Sequence, residues 1–153
     1  MLHLLYYAPC IPGNAGAAIR LSACTGSMLH LIEPLGFDMD DTKLKRAGLD
    51  YHDLAHVKVH PTLDDALAEV PGALYAFTGH SSTSFASISY ADGDGLLFGP
   101  EPTGLPQEVL DDPRVTAKVR IPMTPHRRSL NLTISASIAV YEALRQLDYP
   151  GLV

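Results

Sequence analysis

The sequence predicts an α/β fold in which a mostly parallel sheet carries helices on both faces. Short apolar runs alternate along the chain with segments of helical pattern, which is the order expected of strand–helix–strand units. Several of these runs are apolar at almost every position, so a sheet built from them needs cover on both faces. The 153 residues match the size of one domain, roughly 150 residues, so residues 1–153 are expected to form a single domain.

Five apolar runs are predicted to be buried strands. They occupy residues 2–8, 28–32, 73–78, 96–99 and 116–121. A further strand is predicted at residues 56–60, where polar residues alternate with valine, as they do in a strand with one exposed face.

Three histidines offer an alternative for this last segment. His52, His56 and His60 are spaced four residues apart, so on a helix they would share one face and could bind zinc. The alternation with valine favours the strand instead, and no carboxylate or cysteine is seen to complete the set. No metal site is therefore predicted.

Three longer segments are predicted to be helices, at residues 14–25, 62–70 and 131–147. The second begins at Thr62, which forms an approximate capping box with Asp65 three residues later. The third is apolar around most of its circumference over its first half. Its own sheet can cover one side, and a second copy of the chain is the commonest cover for the other, so a homodimer is expected. The alternative is a central core helix of a monomer.

The charges exclude a protein that coats nucleic acid non-specifically. There are 11 basic and 17 acidic side chains, which give a net charge of −6, whereas such proteins usually have a pI above about 9. Five of the basic residues nevertheless fall into two groups that could contact a polyanion locally. These groups are Lys43, Lys45 and Arg46, and Arg127 with Arg128.

Several features indicate a protein of the cytoplasm with no membrane partner. No apolar run approaches the length of about 18 residues that a membrane span needs. The apolar start of the chain lacks the basic segment of a signal peptide. Cys10 and Cys24 fit neither a metal-binding spacing nor a disulfide framework, so both are expected to be reduced thiols.

Two stiff loops that follow predicted strands are the best candidates for a ligand site. Residues 99–106 hold three prolines and two glycines, and residues 121–131 follow another predicted strand. Open α/β sheets bind ligands at the carboxyl ends of their strands, so the two loops are expected to share one pocket. Neither of the usual nucleotide cradles nor a hydrolase nucleophile elbow occurs in the sequence. Arg20 is either an exposed residue of its helix or a cation placed for function.

Three motifs resemble those of the SPOUT (SpoU) RNA ribose 2'-O-methyltransferases and occur in the same order. The first is Ile11-Pro12-Gly13-Asn14-Ala15-Gly16 leading to Arg20, the second is Phe98-Gly99-Pro100-Glu101 with Gly104-Leu105-Pro106, and the third is Ile121-Pro122-Met123 with Arg128-Ser129-Leu130-Asn131-Leu132. Two further segments resemble the TrmL branch of this family, which methylates the tRNA wobble nucleotide, a cytidine or uridine. They are Arg46-Ala47-Gly48-Leu49-Asp50-Tyr51-His52 and Asp148-Tyr149-Pro150-Gly151.

The resemblance implies a SPOUT-type α/β fold with a deep trefoil knot near the C-terminus, an exception to the rule that chains avoid threading. It implies transfer of a methyl group from S-adenosyl-L-methionine to the ribose of a tRNA wobble nucleotide in the anticodon stem-loop. It also implies a homodimer whose active site uses both subunits, with no metal. The alternatives are a 2'-O-methyltransferase of another RNA site, such as rRNA, and an RNA- or nucleotide-binding module without turnover.

The resemblance also assigns residues to roles. Arg20, Ser129 and Asn131 are expected to be catalytic, with Arg20 and Asn131 facing the reacting ribose. The residues expected to bind the cofactor are Phe77, Thr78, Gly79, Gly99, Pro100, Glu101, Gly104, Ile121, Pro122, Met123, Ser129 and Leu130. The residues expected to bind RNA are Asn14, Arg20, Lys43, Lys45, Arg46 and Arg127.

The chain departs from the family pattern at two points. The family loop usually reads Gly-Pro-Glu-x-Arg-Gly-Leu-Pro, whereas this chain has Pro102 and Thr103 before the second glycine. The phosphate contact of that arginine is therefore not carried over, while the cofactor contacts are. Many relatives also carry an added RNA-binding domain, and none is expected within residues 1–153, so the catalytic dimer is expected to hold tRNA by itself.

Overall fold

A six-stranded sheet, in which every neighbouring pair of strands runs parallel, forms the centre of the structure. The structure is a computed structural model that describes residues 1–40, 42–45 and 49–153. In chain order the strands are β1 (His3–Tyr7), β2 (Met28–Ile32), β3 (Val57–His60), β4 (Leu74–Phe77), β5 (Gly95–Phe98) and β6 (Ala117–Val119). Their order across the sheet is β3-β2-β1-β5-β4-β6, so β1 and β5 lie at its centre.

Helices lie on both faces of this sheet. They are α1 (Pro12–Thr25), α2 (Thr42–Lys45), α3 (Tyr51–Leu54), α4 (Leu63–Leu67), α5 (Gln107–Leu110) and α6 (Leu132–Gln146), with a 3₁₀ turn at Phe85–Ser87. Residues of α1 and α6 pack on one face around Leu4 and Tyr6, and residues of α4 and α5 pack on the other around Leu5 and Leu97. No helix in the described ranges has the length and hydrophobicity that crossing a membrane requires.

The predicted fold class is confirmed, and so is each of the six predicted strands, with ends that differ by at most two residues. The largest difference is at β6, which ends at Val119 although residues 116–121 were predicted. Beyond Val119 the chain leaves the ladder with β4, because Arg120 pairs with Ser84 in the loop after β4 instead. Pro122 then has no N–H with which to continue a strand.

The two long helices are also confirmed. α1 begins two residues earlier than predicted, at Pro12, because a proline in the first helical turn loses no hydrogen bond. It ends at Gly26, whose φ of 71° is the left-handed conformation that glycine adopts readily. α6 begins after Asn131, whose side-chain oxygen accepts hydrogen bonds from the N–H groups of Thr133 and Ile134 at 2.9 and 3.1 Å.

The middle helix is shorter than predicted. Thr62 caps α4 by accepting a hydrogen bond from the N–H of Asp65 at 3.2 Å, as the sequence indicated. After α4, however, the N–H groups of Glu69 and Val70 bond to carbonyls three residues back. The chain therefore continues as a tighter turn and not as an α-helix.

The outer side of α6 excludes one of the two alternatives for this helix, and the homodimer stays a prediction. Ala136, Ala139 and Val140 are fully buried against the sheet, whereas Ile134 and Tyr141 are 53% and 45% exposed. A central core helix would be covered on both sides, so that alternative is wrong. We call the exposed apolar residues Leu130, Ile134, Ile138 and Tyr141 the α6 stripe.

Candidate active site

The predicted ligand loops both begin at the carboxyl edge of the sheet, but the cavity described below is lined by the second loop and not by residues 99–106. Because all strands are parallel, the segments that follow β1, β4, β5 and β6 meet at the same edge. The segment after β4 contains Thr78 and Gly79, the segment after β5 contains residues 99–106, and the segment after β6 contains residues 120–131. The aromatic rings at the ends of β4 and β5, Phe77 and Phe98, stack with centroids 4.5 Å apart and belong to the core on the α1/α6 face.

The loop after β5 folds back on itself. The N–H of Gly104 donates a hydrogen bond to the carbonyl of Pro100 at 2.8 Å, and Gly104 has a φ of 70°. A side chain at Gly99 would collide with the main chain of Gly104 and Leu105, so only glycine fits there. Pro102 and Thr103 lie exposed at the tip, where an arginine in place of Thr103 would reach solvent and not the loop interior.

Glu101 ties this loop to the start of α1. Its Oε1 accepts the N–H of Cys10 at 2.8 Å, and its Oε2 accepts the N–H of Ile11 at 2.7 Å. Oε2 also accepts the side-chain amide of Asn14 at 3.1 Å. A carboxylate at the N-terminus of a 14-residue helix is stabilised by the unpaired N–H groups of the first turn. Glu101 thus joins the first and second motifs.

Asn14 continues this connection to the third motif. Its side-chain oxygen accepts a hydrogen bond from the amide of Asn131 at 2.9 Å, and its carbonyl accepts one from the Thr133 hydroxyl at 2.7 Å. The single hydrogen of that hydroxyl is thereby used, so the Tyr6 hydroxyl donates to Thr133 Oγ1 at 2.8 Å. Burial raises the pKa of Tyr6 far above its usual value, which keeps this donor protonated.

Arg20 lies farther along α1 and is held by a carboxylate from α3. Its Nη2 is 3.1 Å from Oδ2 of Asp53, and the Arg20 side chain is 47% exposed. Asp53 is fixed in turn by a capping box, in which it accepts the N–H of Asp50 and donates its own N–H to Asp50 Oδ1. This pairing leaves about half of the Arg20 side chain in contact with solvent and holds one end of its guanidinium.

The remaining predicted cofactor and catalytic residues line or follow an open cavity of about 470 Å³ beside the segment after β6. Pro122, Met123 and Arg127 contribute to its lining. Ile121 is half-buried two residues after β6, whereas Ser129 and Leu130 are exposed just before α6. The structure thus brings the cofactor residues to one edge, and their roles stay predictions.

The residues predicted to bind RNA are more dispersed. Lys43 and Lys45 belong to α2, Arg46 lies outside the described residues, and Arg127 is exposed beside the cavity. Asn14 is 8% exposed and its amide is engaged by the bonds described above. Its position is therefore that of a connector between motifs, and the predicted contact with RNA stays a prediction.

Removing the Glu101 carboxylate is expected to loosen the link between the first two motifs. Glu101→Ala deletes the acceptor of two main-chain donors and one amide, so we expect the free energy of unfolding to fall by about 2 kcal/mol. Cofactor affinity should fall as well, because the loop of residues 99–106 loses its anchor. Urea denaturation and calorimetry measure the two effects, with the exposed Glu108→Ala as the control. Unchanged stability would show that water replaces the carboxylate without cost.

The fold and the site together define a parallel α/β protein whose ligand site is built from loops at the carboxyl ends of its strands. The chain belongs to the SpoU rRNA methylase family, whose model matches residues 1–141. It is 50% identical to a tRNA (cytidine(34)-2'-O)-methyltransferase of Escherichia coli K12, over 100% of this chain and 98% of that protein. The resemblance stated from the motifs is thereby confirmed.

Solved structures agree with this assignment. A structure described as giving insights into the 2'-OH methylation of C/U34 on tRNA superposes with a TM-score of 0.89 at 44% identity, covering 97% of both chains. The SpoU methyltransferase AviRb of Streptomyces viridochromogenes, crystallised with AdoMet, superposes with a TM-score of 0.84 at 25% identity. That match covers 97% of this chain and 61% of AviRb.

Proposed function

We propose that the protein transfers a methyl group from S-adenosyl-L-methionine to the ribose 2'-hydroxyl of the tRNA wobble nucleotide, a cytidine or uridine, in the cytoplasm where its substrate resides. The observation that carries this proposal is the hydrogen-bonded chain Glu101–Asn14–Asn131, which joins the three family motifs at one strand edge. Relatives that match this chain over nearly its full length are named for 2'-O-methylation of nucleotide 34 of tRNA.

The loops at this edge fit the methyl donor. A side chain at Gly99 would collide with the main chain of Gly104 and Leu105, so this loop presents main chain there, and half-buried Ile121 and Met123 after β6 offer apolar contacts. When bound, S-adenosyl-L-methionine supplies a methyl group activated by its positively charged sulfur. The chain has to hold the ribose hydroxyl in line with that methyl group, and alignment alone can lower the barrier by about 7–11 kcal/mol.

Arg20 supports the reaction as a fixed cation in this proposal. A guanidinium has a pKa above about 12, so it is a poor general base. Beside the ribose it would stabilise the developing negative charge on the 2'-oxygen, and it could hold a phosphate oxygen that accepts the proton. The ion pair with Asp53 sets the direction in which Arg20 points.

We further propose that two chains assemble through α6 and that the chain is knotted. The α6 stripe follows the spacing of one helix face, so it offers a continuous apolar surface to a second copy. The knot is supported by the route of the chain, because residues 81–85 run beside Lys118 and Arg120 while Gln146 of α6 bonds to Ile88 and Tyr90 of the same loop.

Mass analysis of digested tRNA, after incubation with the protein and S-adenosyl-L-methionine, tests the proposed function. We expect one added methyl group on the ribose of nucleotide 34. A transcript with 2'-deoxycytidine at that position is the matched control and should gain none. Methylation of a different nucleotide or of rRNA would identify a 2'-O-methyltransferase of another RNA site. Cofactor binding without methyl transfer would identify an RNA- or nucleotide-binding module.

The contact with tRNA is expected to be electrostatic but local. The net charge of −6 opposes contact with many phosphates, so only the clustered lysine and arginine side chains are expected to contribute to tRNA binding. We expect the logarithm of the binding constant to fall with the logarithm of salt concentration with a slope of roughly −3 to −5.

Replacing basic side chains of the protein should make this salt dependence less steep, in proportion to the number of charges removed. Lys45→Ala with Arg46→Ala should flatten it by about 1.4–1.8, and Arg127→Ala by about half as much. Cofactor binding should stay unchanged in the Lys45/Arg46 variant. Filter binding at several salt concentrations measures the slopes, with Arg114→Ala as the control. An unaltered slope in both variants would place the RNA surface elsewhere.

A further inference from the structure

Three histidines form a buried row across neighbouring strands on the α4/α5 face of the sheet. Nδ1 of His3 lies 2.9 Å from Nε2 of His30, and Nδ1 of His30 lies 2.8 Å from Nε2 of His60. Their rings stack with centroids 5.2 and 5.0 Å apart. All three residues are less than 9% exposed. The proposed methyl transfer uses none of them.

A carboxylate completes this row at its outer end. Oε2 of Glu69 lies 3.2 Å from Nε2 of His60 and 3.6 Å from Nδ1 of His30. Three potential ligand atoms, two imidazole nitrogens and one carboxylate oxygen, therefore point at one spot. The side chain of Glu69 is 36% exposed, so this spot is reached from solvent.

With no metal ion bound, the three ligand atoms at this spot share a single hydrogen atom. The Glu69 carboxylate accepts only, so the N–H of the pair must sit on Nε2 of His60. That hydrogen is then shared between Glu69 and the bare Nδ1 of His30. His30 in turn carries its own hydrogen on Nε2 and donates it to Nδ1 of His3.

We propose that His30, His60 and Glu69 bind a divalent transition-metal ion, with zinc as the first candidate, and that water completes a tetrahedral site. Bond lengths of about 2.0–2.1 Å to zinc place tetrahedral ligands roughly 3.3–3.4 Å apart, which is close to the three separations seen here. Two histidines and one glutamate with an open position are a common zinc ligand set. Binding replaces the shared hydrogen, and the His60 proton moves to Nδ1 of the same ring.

The surroundings suit such an ion. His30 donates its other ring nitrogen to His3, which is the arrangement that orients a metal-bound imidazole. Burial and the neighbouring histidines lower the pKa of His30 to about 4, so its ring is neutral near pH 7.

Lys58 is the group that competes with the ion. Its Nζ lies 2.7 Å from Oε1 of Glu69, and its side chain is 50% exposed, so it can turn into solvent when a cation enters.

This ligand set differs from the one that spacing along the chain suggests. His52 and His56 are not part of it, although they precede His60 at intervals of four. Because residues 57–60 form a strand, His60 instead faces His30 on the neighbouring strand, and the turn after α4 brings Glu69 beside both. The missing carboxylate is thus supplied by a residue nine positions downstream.

Calorimetric titration of the chelator-treated full chain with zinc tests the proposal. We expect one zinc ion per chain and visible absorption of four-coordinate cobalt when Co²⁺ replaces zinc. His60→Ala should weaken binding at least about a hundredfold and Glu69→Gln at least about tenfold, since each removes a ligand. His56→Ala, in the turn directly before β3, is the matched control and should bind as the unaltered chain does.

Two further variants separate a metal site from a purely structural row of histidines. His3→Phe keeps a stacked ring but removes the acceptor for His30, and it should weaken zinc binding about 10- to 100-fold. Lys58→Met frees Glu69 and should tighten binding several-fold. The proposal is wrong if the unaltered chain shows neither zinc binding nor the cobalt spectrum, or if His60→Ala binds zinc as well as His56→Ala does. Thermal unfolding with chelator present verifies that each variant folds.

Discussion

Replacing Arg20 by alanine is expected to lower turnover about a hundredfold or more while leaving cofactor affinity nearly unchanged. The reason is that removing one fixed charge or donor from a developing oxyanion typically costs about 2.7–4 kcal/mol in the transition state. Single-turnover kinetics with saturating tRNA and cofactor measure this effect. Arg114→Ala is the matched control, because Arg114 is also paired with carboxylates and is 46% exposed, compared with 47% for Arg20.

The lysine variant distinguishes charge stabilisation from base catalysis. Arg20→Lys keeps the positive charge but loses the planar fork, so we expect it to recover part of the lost turnover. If Arg20 were itself the titrating base, this variant would instead move the pH–rate profile downward, because an ammonium loses its proton at lower pH than a guanidinium. A shift of more than about one pH unit with full activity on the plateau would contradict the electrostatic role.

Charging the α6 stripe is expected to convert a dimer into a monomer without methyltransferase activity. Ile134→Asp combined with Ile138→Asp places two carboxylates on a surface whose side chains are now 53% and 38% exposed and apolar. Burying an unpaired carboxylate at an interface costs several kcal/mol, which exceeds what most dimers of this size can lose. Sedimentation at low micromolar concentration should change from about twice 16.5 kDa to 16.5 kDa.

The control for this experiment is an exposed apolar residue far from α6. Val59 on the edge strand β3 is 39% exposed, close to the value for Ile138, and Val59→Asp should leave both mass and turnover unchanged. A double variant that sediments as a dimer would show that another surface joins the two chains. An active monomer would contradict a site shared between subunits.

The parts of the fold that follow from local pattern were accessible from the sequence. Uniform apolar runs such as Met28–Ile32 identify buried parallel strands, because only two-sided cover tolerates them. Asn131 and Gly26 mark helix ends by chemistry that acts within a few residues. The three motifs also lie at one edge of the sheet, as the parallel order requires.

The parts that depend on tertiary contact were not accessible in this way. The short helices α2, α3 and α5 span about one turn each, which is too few residues for a hydrophobic period to develop. Asp53 could have been noticed through its capping box with Asp50, but its pairing with Arg20 connects residues 33 positions apart. The contact between His30 and His60 likewise depends on strand order, which sequence spacing does not encode.

The carboxylate of Glu101 makes one wall of the candidate site a rigid unit. Because it grips the N–H groups of Cys10 and Ile11, the loop after β5 and the first turn of α1 have to move together or not at all. In the proposed function, release of the used cofactor past that wall would require these hydrogen bonds to break. The exposed residues 124–130 have no such carboxylate anchor among the hydrogen bonds described above, so cofactor exchange on that side would break fewer contacts.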